Sequence, residues 1–400
     1  MKCLGALVVS LALGCQCTSG SPAAPVDDLE DARPFLTTYA DLLEAGYGDA
    51  LAGARDLRRA LTPLAEGEAT EASLTEARAA WIAARPAYLE TEVARFYGGP
   101  IDGEHGPEPR INGWPLDEAY LDYVQAGDGG RLAGGLVNLP AELEVISASS
   151  LSAANLRGGE ENIAAGYHAI EFLLWGQDVS AEGPGARPFT DFVEDPSVAT
   201  APHTERRRAM LGALGALLET DLGTVADAWR SGSDTNFRSA FVRMPTRDAL
   251  RLVLLGMASL AGTELAGERL NVPYLTRERE DEHSCFSDTT QRDHPNDARG
   301  LRNVYLGRYT RTDGSVVEGP SLSAVVARRD RALDTRMRAQ LDAAIAALEA
   351  IPHPFDRAIL GEDDAPGRVA IRAAIRELRG LTVSLVALGA LLGVRLNLVD

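Results

Sequence analysis

Apolar residues recur every three or four positions through most of this 400-residue chain. That period places them on one face of an α-helix, and five long segments show it: 73–97, 205–229, 247–270, 333–351 and 367–393. Alanine, leucine, arginine and glutamate dominate these segments, and all four are good helix formers. Alternating apolar and polar runs, which indicate β-strands, are scarce. The sequence therefore predicts an all-α fold built from helical bundles.

Long connections rich in Gly, Pro, Asp and Asn separate the helical segments, at 98–115, 179–203 and 280–319. Loops of this length are uncommon in compact domains unless they are functional. We place a boundary between two bundles in the second connection. This gives an N-terminal helical bundle over 29–190 and a C-terminal helical bundle over 191–400.

The N-terminus has the pattern of an export signal. An apolar stretch over 3–13 follows a single positive charge, and it is too short to span a bilayer. It ends at Gly14-Cys15, which resembles a bacterial lipoprotein processing site. We predict a signal peptide over 1–14, lipidation of Cys15 at the periplasmic face of a membrane, and a flexible tether over 15–28. Ordinary export, as a soluble periplasmic or secreted protein, is the alternative.

Net charge, hydropathy and cysteine content limit what this chain is expected to bind. The formal net charge of −19 argues against nucleic acid, whose affinity depends on Lys and Arg neutralising phosphates. The apolar stretch 381–394 contains several glycines and is predicted to be a buried helix, so membrane contact is expected through the lipid anchor alone. Beyond the N-terminal segment the one cysteine is Cys285, which we interpret as a small buried residue.

A histidine and a glutamate lie inside the apolar run 164–178. His168 and Glu171 are three positions apart, so on a helix their side chains face the same way. A neutral imidazole nitrogen and a carboxylate oxygen on one face could ligate a transition metal from one side. Two ligands are not enough, and others must come from elsewhere in the chain. The alternative is a structural hydrogen bond between the histidine and the carboxylate.

A second polar pattern lies in the first strongly periodic segment. Trp81, Arg85, Tyr88 and Glu92 follow one another at steps of four, three and four, which is one helical stripe. Such a stripe is either a helix–helix seam with a buried ion pair or the wall of a polar pocket. The segment 280–309 also concentrates acids, a histidine, a serine and arginines, and without further information it is equally well explained as a solvated loop.

Together these stretches resemble the imelysin family of iron-regulated exported proteins. The resemblance is carried by Gly-x-His-x-x-Glu at 166–171 and by four further blocks, "RFYGGPID", "INGWPLDEAYLDYV", "EDEHSCFSD" and "GLRNVYLGRY". It covers residues 29–397. One departure is Gln291, where histidine is expected in many relatives; any role of that histidine would be absent here or filled by His283 or His294. The resemblance implies two bundle-like helical halves with the motif near their interface, and a link to uptake of iron or other metals.

The resemblance also implies a ligand set for a metal pocket between the two halves. His168 and Glu171 supply one side, and Glu92 is the best candidate for the other. The remaining candidates are Asp117, which could instead cap a helix, and the pocket residues Arg85, Tyr88, Trp114, His283 and Asp288. Arg85 is expected to orient a carboxylate or bind an anion. Iron is favoured, as a divalent or ferric ion or as a metal chelate, with zinc and manganese as alternatives; an iron-uptake protein is the expected partner.

The family name comes from a peptidase classification, which the residues support only weakly. A zinc peptidase typically carries His-Glu-x-x-His, and this chain has no such motif. Glu171 cannot easily act both as a metal ligand and as the general base. Binding of a metal or metal complex is therefore the preferred interpretation. A metallopeptidase using His168 and Glu171, and an interaction lipoprotein without a metal, are the alternatives.

Lipidation predicts a simple change in cell fractionation. Cys15→Ser removes the thiol that would carry the lipid, so the variant should move from the membrane to the soluble exported fraction. Cys17→Ser is the matched control and should stay with the membrane. Membrane association of Cys15→Ser equal to that of the wild type would show that the anchor lies elsewhere.

Overall fold

A computed structural model of the chain describes residues 29–125, 130–180 and 183–396. The predicted signal peptide, Cys15 and the tether lie outside the described residues. The chain is 64% helical, with a few very short strands, which confirms the all-α prediction.

Helices of very different length follow one another along the chain. The α-helices are α1 (Arg33–Glu66), α2 (Glu71–Leu89), α3 (Glu108–Ile111), α4 (Glu118–Leu121), α5 (Gly135–Asn138), α6 (Ala148–Ala154), α7 (Gly166–Trp175), α8 (Thr204–Trp229), α9 (Phe237–Arg243), α10 (Thr246–Ser259), α11 (Val272–Thr276), α12 (Thr290–Leu306), α13 (Leu322–Arg329), α14 (Arg331–Glu349), α15 (Phe355–Ala358) and α16 (Pro366–Leu391). A π-helical stretch, Leu260–Asn271, joins α10 to α11, and 3₁₀ turns occur at Glu30–Ala32, Glu92–Ala94, Phe189–Phe192 and Arg279–Asp281.

Two small hairpins complete the secondary structure. Strands β1 (Val124–Gln125) and β2 (Arg131–Leu132) pair antiparallel. Strands β3 (Arg308–Thr310) and β4 (Val316–Glu318) also pair antiparallel, with Tyr309 opposite Val317. The Tyr309 side chain is buried against α1, where its hydroxyl donates to Asp49 Oδ2 at 3.0 Å.

The longest helix, α1, was not singled out from the sequence. It has 34 residues, starts with Pro34 in its first turn, and ends at Gly67, whose φ of +93° reverses the chain. Phe35, Tyr39 and Tyr47 are among the side chains that it buries at helical spacing. The helix packs between α2 and α8 and forms the centre of the first bundle.

Helix α8 belongs to the predicted C-terminal half but packs against helices of the predicted N-terminal half. It follows the boundary at residue 190, yet it packs along α1 and against α7. One continuous apolar core includes residues from both predicted halves, from Phe35 in α1 to Leu388 in α16. The division at 190 stays a prediction, and the helix packing does not stop there.

Two helical stretches have the length and composition to cross a membrane, Thr204–Trp229 and Thr246–Thr276. In the described structure 56% and 67% of their most apolar windows are buried within the fold. Their hydropathy is therefore accounted for by the protein core. The stretch 381–394, predicted to be a buried helix, lies largely in α16, where Leu381, Leu385 and Leu388 are buried.

The prediction of a loop over 280–319 was wrong for its central part. This segment contains α12 and the β3–β4 hairpin. The helix was missed because its buried face is polar: Asp293, His294 and Asp297 are each no more than 1% exposed. A helix whose buried face is polar does not show apolar residues every three or four positions. That recurrence is the signal from which helices are predicted.

A buried carboxylate fixes the irregular segments against α8. Asp122 accepts hydrogen bonds from Arg187 Nη1 at 2.8 Å and from Arg207 Nε at 2.6 Å, and Arg207 belongs to α8. Asn138 Nδ2 donates to its other oxygen at 2.9 Å. Burial alone would raise the pKa of Asp122, but the two guanidinium groups outweigh it and lower this pKa to about 2.

Because the folded pKa of Asp122 lies below the unfolded value, its contribution to stability is present above about pH 4 and is lost as pH falls towards 2. Asp122→Asn should therefore cost about 3–5 kcal/mol of unfolding free energy at pH 7, since it leaves buried arginines uncompensated. The difference from wild type should shrink in acid. Chemical denaturation across pH measures both effects.

The matched control is Asp227→Asn, because Asp227 pairs with Arg230 in a salt bridge whose two side chains are each 65% exposed. It should change stability by less than about 1 kcal/mol. Equal stabilities of the two variants would contradict a structural role for the Asp122 cluster.

Candidate functional site

The motif helix α7 is buried along its whole length. Its first residue, Gly166, has φ +86°, and a Cβ there would lie 2.5 Å from the Ile111 carbonyl oxygen. A glycine is therefore required both by the backbone conformation and by the close approach of the chain. This contact fixes the depth at which the next turn, with His168 and Glu171, sits in the core.

His168 and Glu171 contact each other directly. His168 Nδ1 lies 2.9 Å from Glu171 Oε2, and both side chains are at most 1% exposed. The other carboxyl oxygen of Glu171 accepts from the backbone N–H of Ser287 at 2.9 Å and from its hydroxyl at 2.7 Å. The motif is thereby connected to the segment before α12, far away in sequence.

Burial sets the protonation of this pair. Desolvation raises the pKa of Glu171 to about 8, although the Ser287 hydrogen bonds oppose the rise. Desolvation, reinforced by the charge of Arg85, moves the pKa of His168 well below its usual range. The imidazole is therefore neutral at physiological pH, which is the form that can bind a metal ion.

A second histidine faces the first. The rings of His168 and His283 are 5.0 Å apart between centroids and nearly perpendicular. His283 Nδ1 lies 2.8 Å from Asp293 Oδ2, so this imidazole is also held through Nδ1 by a carboxyl group. Trp114 packs edge-on against His283 at 5.9 Å. His283 and Trp114, both predicted pocket residues, thus lie beside the motif.

The Nε2 atoms of both histidines have few partners. His168 Nε2 is buried and has no hydrogen-bond partner in the described structure. His283 Nε2 has a 3.5 Å contact with Asn112 Nδ2, at the outer limit of a hydrogen bond. Metal-binding histidines typically show this arrangement, in which a carboxyl group on one ring nitrogen leaves the other available.

The predicted role of Glu92 as a metal ligand needs correction. Its Oε2 accepts from Arg269 Nη2 at 2.5 Å, and its Oε1 from Asn112 Nδ2 at 2.8 Å and Arg95 Nη1 at 3.3 Å. Burial opposes ionisation, but Arg269 and Arg95 outweigh it and lower the pKa of Glu92. With both oxygens engaged, Glu92 is an ion-pair partner that reaches His283 only through Asn112.

Arg85 orients a carboxylate, as expected from its charge. Its Nη2 donates to Asp293 Oδ2 at 2.8 Å, and its Nη1 donates to Asn112 Oδ1 at 2.5 Å. Its guanidinium also lies over the rings of Trp81 and Tyr167, at 5.4 and 5.0 Å from their centroids. The stripe seen in the sequence is therefore a helix seam with a buried ion pair, next to the histidines.

Sequence reasoning missed Asn112, Asp293 and Arg269. Arg269 lies in the π-helical stretch and donates to Asp297 Oδ2 at 2.8 Å as well as to Glu92. π-Helical turns frequently occur at functional sites. The one local signal was the spacing of Asp293 and Asp297, four residues apart in α12, which places both carboxylates on one helix face.

A cavity of about 210 Å³ opens beside His283. Its wall mixes acidic and basic side chains, namely Arg95, Glu108, Glu264, Glu268 and Arg269, with Asn112 and Trp114 beside them. Arg95 bridges Glu92 and Glu108, with Nη2 of Arg95 3.0 Å from Glu108 Oε1. The histidine pair is therefore buried but lies next to a polar space large enough for water or a small anion.

Three other predicted residues do not contact the two histidines in the described structure. Asp117 is exposed and caps α4 by accepting from Ala119 N–H at 3.0 Å, so it is not brought to the histidines. Tyr88 is buried against Tyr167, with its hydroxyl unpartnered, and does not line the cavity. Asp288 lies near two other acids, Glu282 and Asp356. The acid that contacts His283 is Asp293.

The chain matches a known protein family over most of its length. The imelysin family model matches residues 43–385. The chain belongs to the imelysin family. It is 27% identical over 326 residues to iron-regulated protein A of Synechococcus elongatus, which covers 78% of this chain and 73% of that protein.

Two solved structures share the fold of this imelysin-family chain. An iron-regulated protein A precursor from Parabacteroides distasonis superposes with a TM-score of 0.69 at 19% identity, over 93% of this chain and 97% of that one. An imelysin-like protein from Psychrobacter arcticum gives a TM-score of 0.64 at 14% identity, over 92% and 97%. These likenesses concern the fold alone.

The close packing of Gly166 generates a stability prediction. Gly166→Ala introduces both a strained backbone and a clash with Ile111. It should therefore lower the free energy of unfolding by about 1–3 kcal/mol more than a substitution that introduces backbone strain alone. Gly232→Ala is the control, because Gly232 has φ +79° with no atom within 4 Å of the added Cβ. Denaturant unfolding of both variants gives the difference, and equal losses would contradict the packing argument.

Proposed function

We propose that this imelysin-family protein binds a transition-metal ion through the facing histidines His168 and His283. The observation that carries the proposal is the buried, unpartnered Nε2 of His168, 5.0 Å from a second imidazole measured between ring centroids. A buried polar nitrogen without a partner costs free energy. Coordination to a metal would remove that cost, and histidine is the commonest protein ligand for such metals.

The surrounding charges support this assignment. Glu171 and Asp293 each hold an imidazole through Nδ1, which is the role that outer carboxylates play in metal sites. In this scheme Glu171 orients His168 and is not itself a ligand. Both histidines are neutral because burial lowers their pKa values, so no proton has to be displaced from an imidazolium.

Two histidines leave coordination positions open. Within 29–125, 130–180 and 183–396, the structure gives no third histidine, cysteine or acidic donor grouped with them at ligand spacing. Water, or an anion that accompanies the metal, would complete the shell from the cavity beside His283. The wall of this cavity carries two arginines, both paired with carboxylates, and three glutamates, so it accommodates a hydrated bare ion as readily as a metal chelate.

Iron is the metal we favour. Imidazole suits iron, zinc and copper, and the related cyanobacterial protein is named as iron-regulated. We therefore infer an exported, lipid-anchored iron-binding protein that acts in iron uptake, with a protein partner that receives or delivers the metal. Zinc and manganese are the competing metals.

A metallopeptidase is less well supported by the geometry. A general base would have to lie free beside the metal. Glu171 is engaged at both oxygens, with Ser287 at one and His168 at the other. Efficient cleavage of unfolded proteins, lost in His168→Ala and in chelator, would favour the enzyme over the binding protein.

Metal titration tests the histidine pair. Anaerobic calorimetry with Fe²⁺, and with Zn²⁺ and Mn²⁺, should give high affinity for the wild type and a loss of orders of magnitude in His168→Ala and His283→Ala. Glu171→Ala should lose about 10- to 100-fold, as expected of an orienting group. His353→Ala is the control, because His353 is exposed and lies outside the cluster.

Thermal melts of the metal-free proteins separate binding from folding. The ligand variants should still fold and melt cooperatively, because a neutral imidazole is removed without leaving a new charge; the cavity left behind lowers the melting temperature without abolishing the fold. Unchanged metal affinity with a collapsed melting temperature would assign the histidines a purely structural role.

A further inference from the structure

A second group of potential ligands lies on the opposite side of the segment that carries His283. The carboxyl groups of Glu282, Asp288 and Asp356 each offer an oxygen within 4.8 Å of the other two. Glu282 and Asp288 precede α12, and Asp356 belongs to α15. We call these three residues the acidic cluster.

The acidic cluster is buried without the hydrogen bonds that such burial requires. Glu282 is 0% exposed, and neither of its carboxyl oxygens has a hydrogen-bond partner. The Oδ1 atoms of Asp288 and Asp356 are likewise buried and unpartnered. Thr290 is a neighbouring hydroxyl: it accepts from Ser284 N–H at 2.8 Å, and its single proton can satisfy at most one of the lone pairs of the Glu282 carboxyl group. Buried carboxylates are normally paired or bound to a metal.

Nearby arginines compensate the acidic cluster only in part. Arg279 Nε lies 3.5 Å from Asp356 Oδ2, but Arg279 also pairs with a fourth carboxylate, Asp178, at 3.4 Å. The charge of Arg357 also acts on Asp288. Four carboxyl groups, those of the acidic cluster and Asp178, are therefore set against two arginines.

We propose that the acidic cluster is a second cation site, which binds a divalent ion through oxygen ligands, with Ca²⁺ as the best fit. Carboxylate oxygens are the ligands that hard cations prefer. Three carboxyl groups converging in one site suit Ca²⁺, which takes about six to eight oxygen ligands in flexible geometry, better than Mg²⁺, which usually keeps several waters and is bound by one or two carboxylates. This site shares no ligand with the histidine pair and does not depend on the function proposed above.

A cation here would connect two separate parts of the chain. It would tie the segment before α12 to α15, next to Ser287, whose N–H and hydroxyl hold Glu171. Its expected role is structural, because it replaces repulsion between buried carboxylates with shared coordination. Binding to the folded state alone raises stability with cation concentration.

The test begins with the full mature chain, freed of metal by EDTA and then dialysed. Calorimetric titration with CaCl₂ should show one bound ion, and Ca²⁺ should raise the melting temperature more than Mg²⁺ does. Glu282→Gln keeps the shape of the side chain and removes its charge, so the metal-free variant should melt at or above the wild-type temperature. It should bind Ca²⁺ at least about tenfold more weakly and lose most of the calcium-dependent shift.

Two controls make the result specific. His168→Ala should retain full Ca²⁺ binding, which separates this site from the histidine pair. Asp195→Asn, a change at an exposed acid, should also behave as the wild type does. Absence of Ca²⁺ binding to the wild type, equal binding by Glu282→Gln, or an equal effect of Mg²⁺ would each overturn the assignment of a calcium site.

Discussion

The buried ion pair between Arg85 and Asp293 is the interaction on which the candidate site depends. It joins α2 to α12 with both side chains 2% exposed, and Asp293 also holds His283 while Arg85 holds Asn112. Removal of either partner would leave a charge uncompensated in the core, which is far more costly than loss of an exposed pair. The ion pair, the amide and the second histidine therefore form as a unit, and they position His283 against His168.

Environment gives chemically similar carboxyl groups different roles around this ion pair. Glu92 is kept ionised by Arg269 and Arg95, so it serves as a fixed negative charge. Glu171 has no arginine bonded to it, and desolvation raises its pKa to about 8, so near neutral pH it is largely protonated beside the His168 imidazole. A carboxyl group that can release a proton beside a neutral histidine is well placed to support metal binding, because metal ligands must be deprotonated.

The segment from Glu282 to Asp293 has two faces with separate chemistry. His283, Ser287 and Asp293 lie towards the motif helix, whereas Glu282 and Asp288 lie towards α15. Because neighbouring residues of one short segment serve both groups, an ion bound in the acidic cluster would restrict the backbone that carries His283 and Ser287. Any coupling between the two sites would then be reciprocal, since binding of each ion would change the affinity for the other by the same factor.

The sequence by itself determined the helical class and the shared face of His168 and Glu171, because helical period and i, i+3 spacing are local properties. Tertiary structure alone decided which charges meet. Glu92 pairs with Arg269, 177 residues away, and this pairing converts a predicted ligand into an ion-pair partner. The buried face of α12 could not be predicted either, because it is polar. A regular recurrence of apolar residues reveals a buried helix face only when that face is apolar. Partner choice among buried charges depends on contacts between distant segments, and no local pattern encodes it.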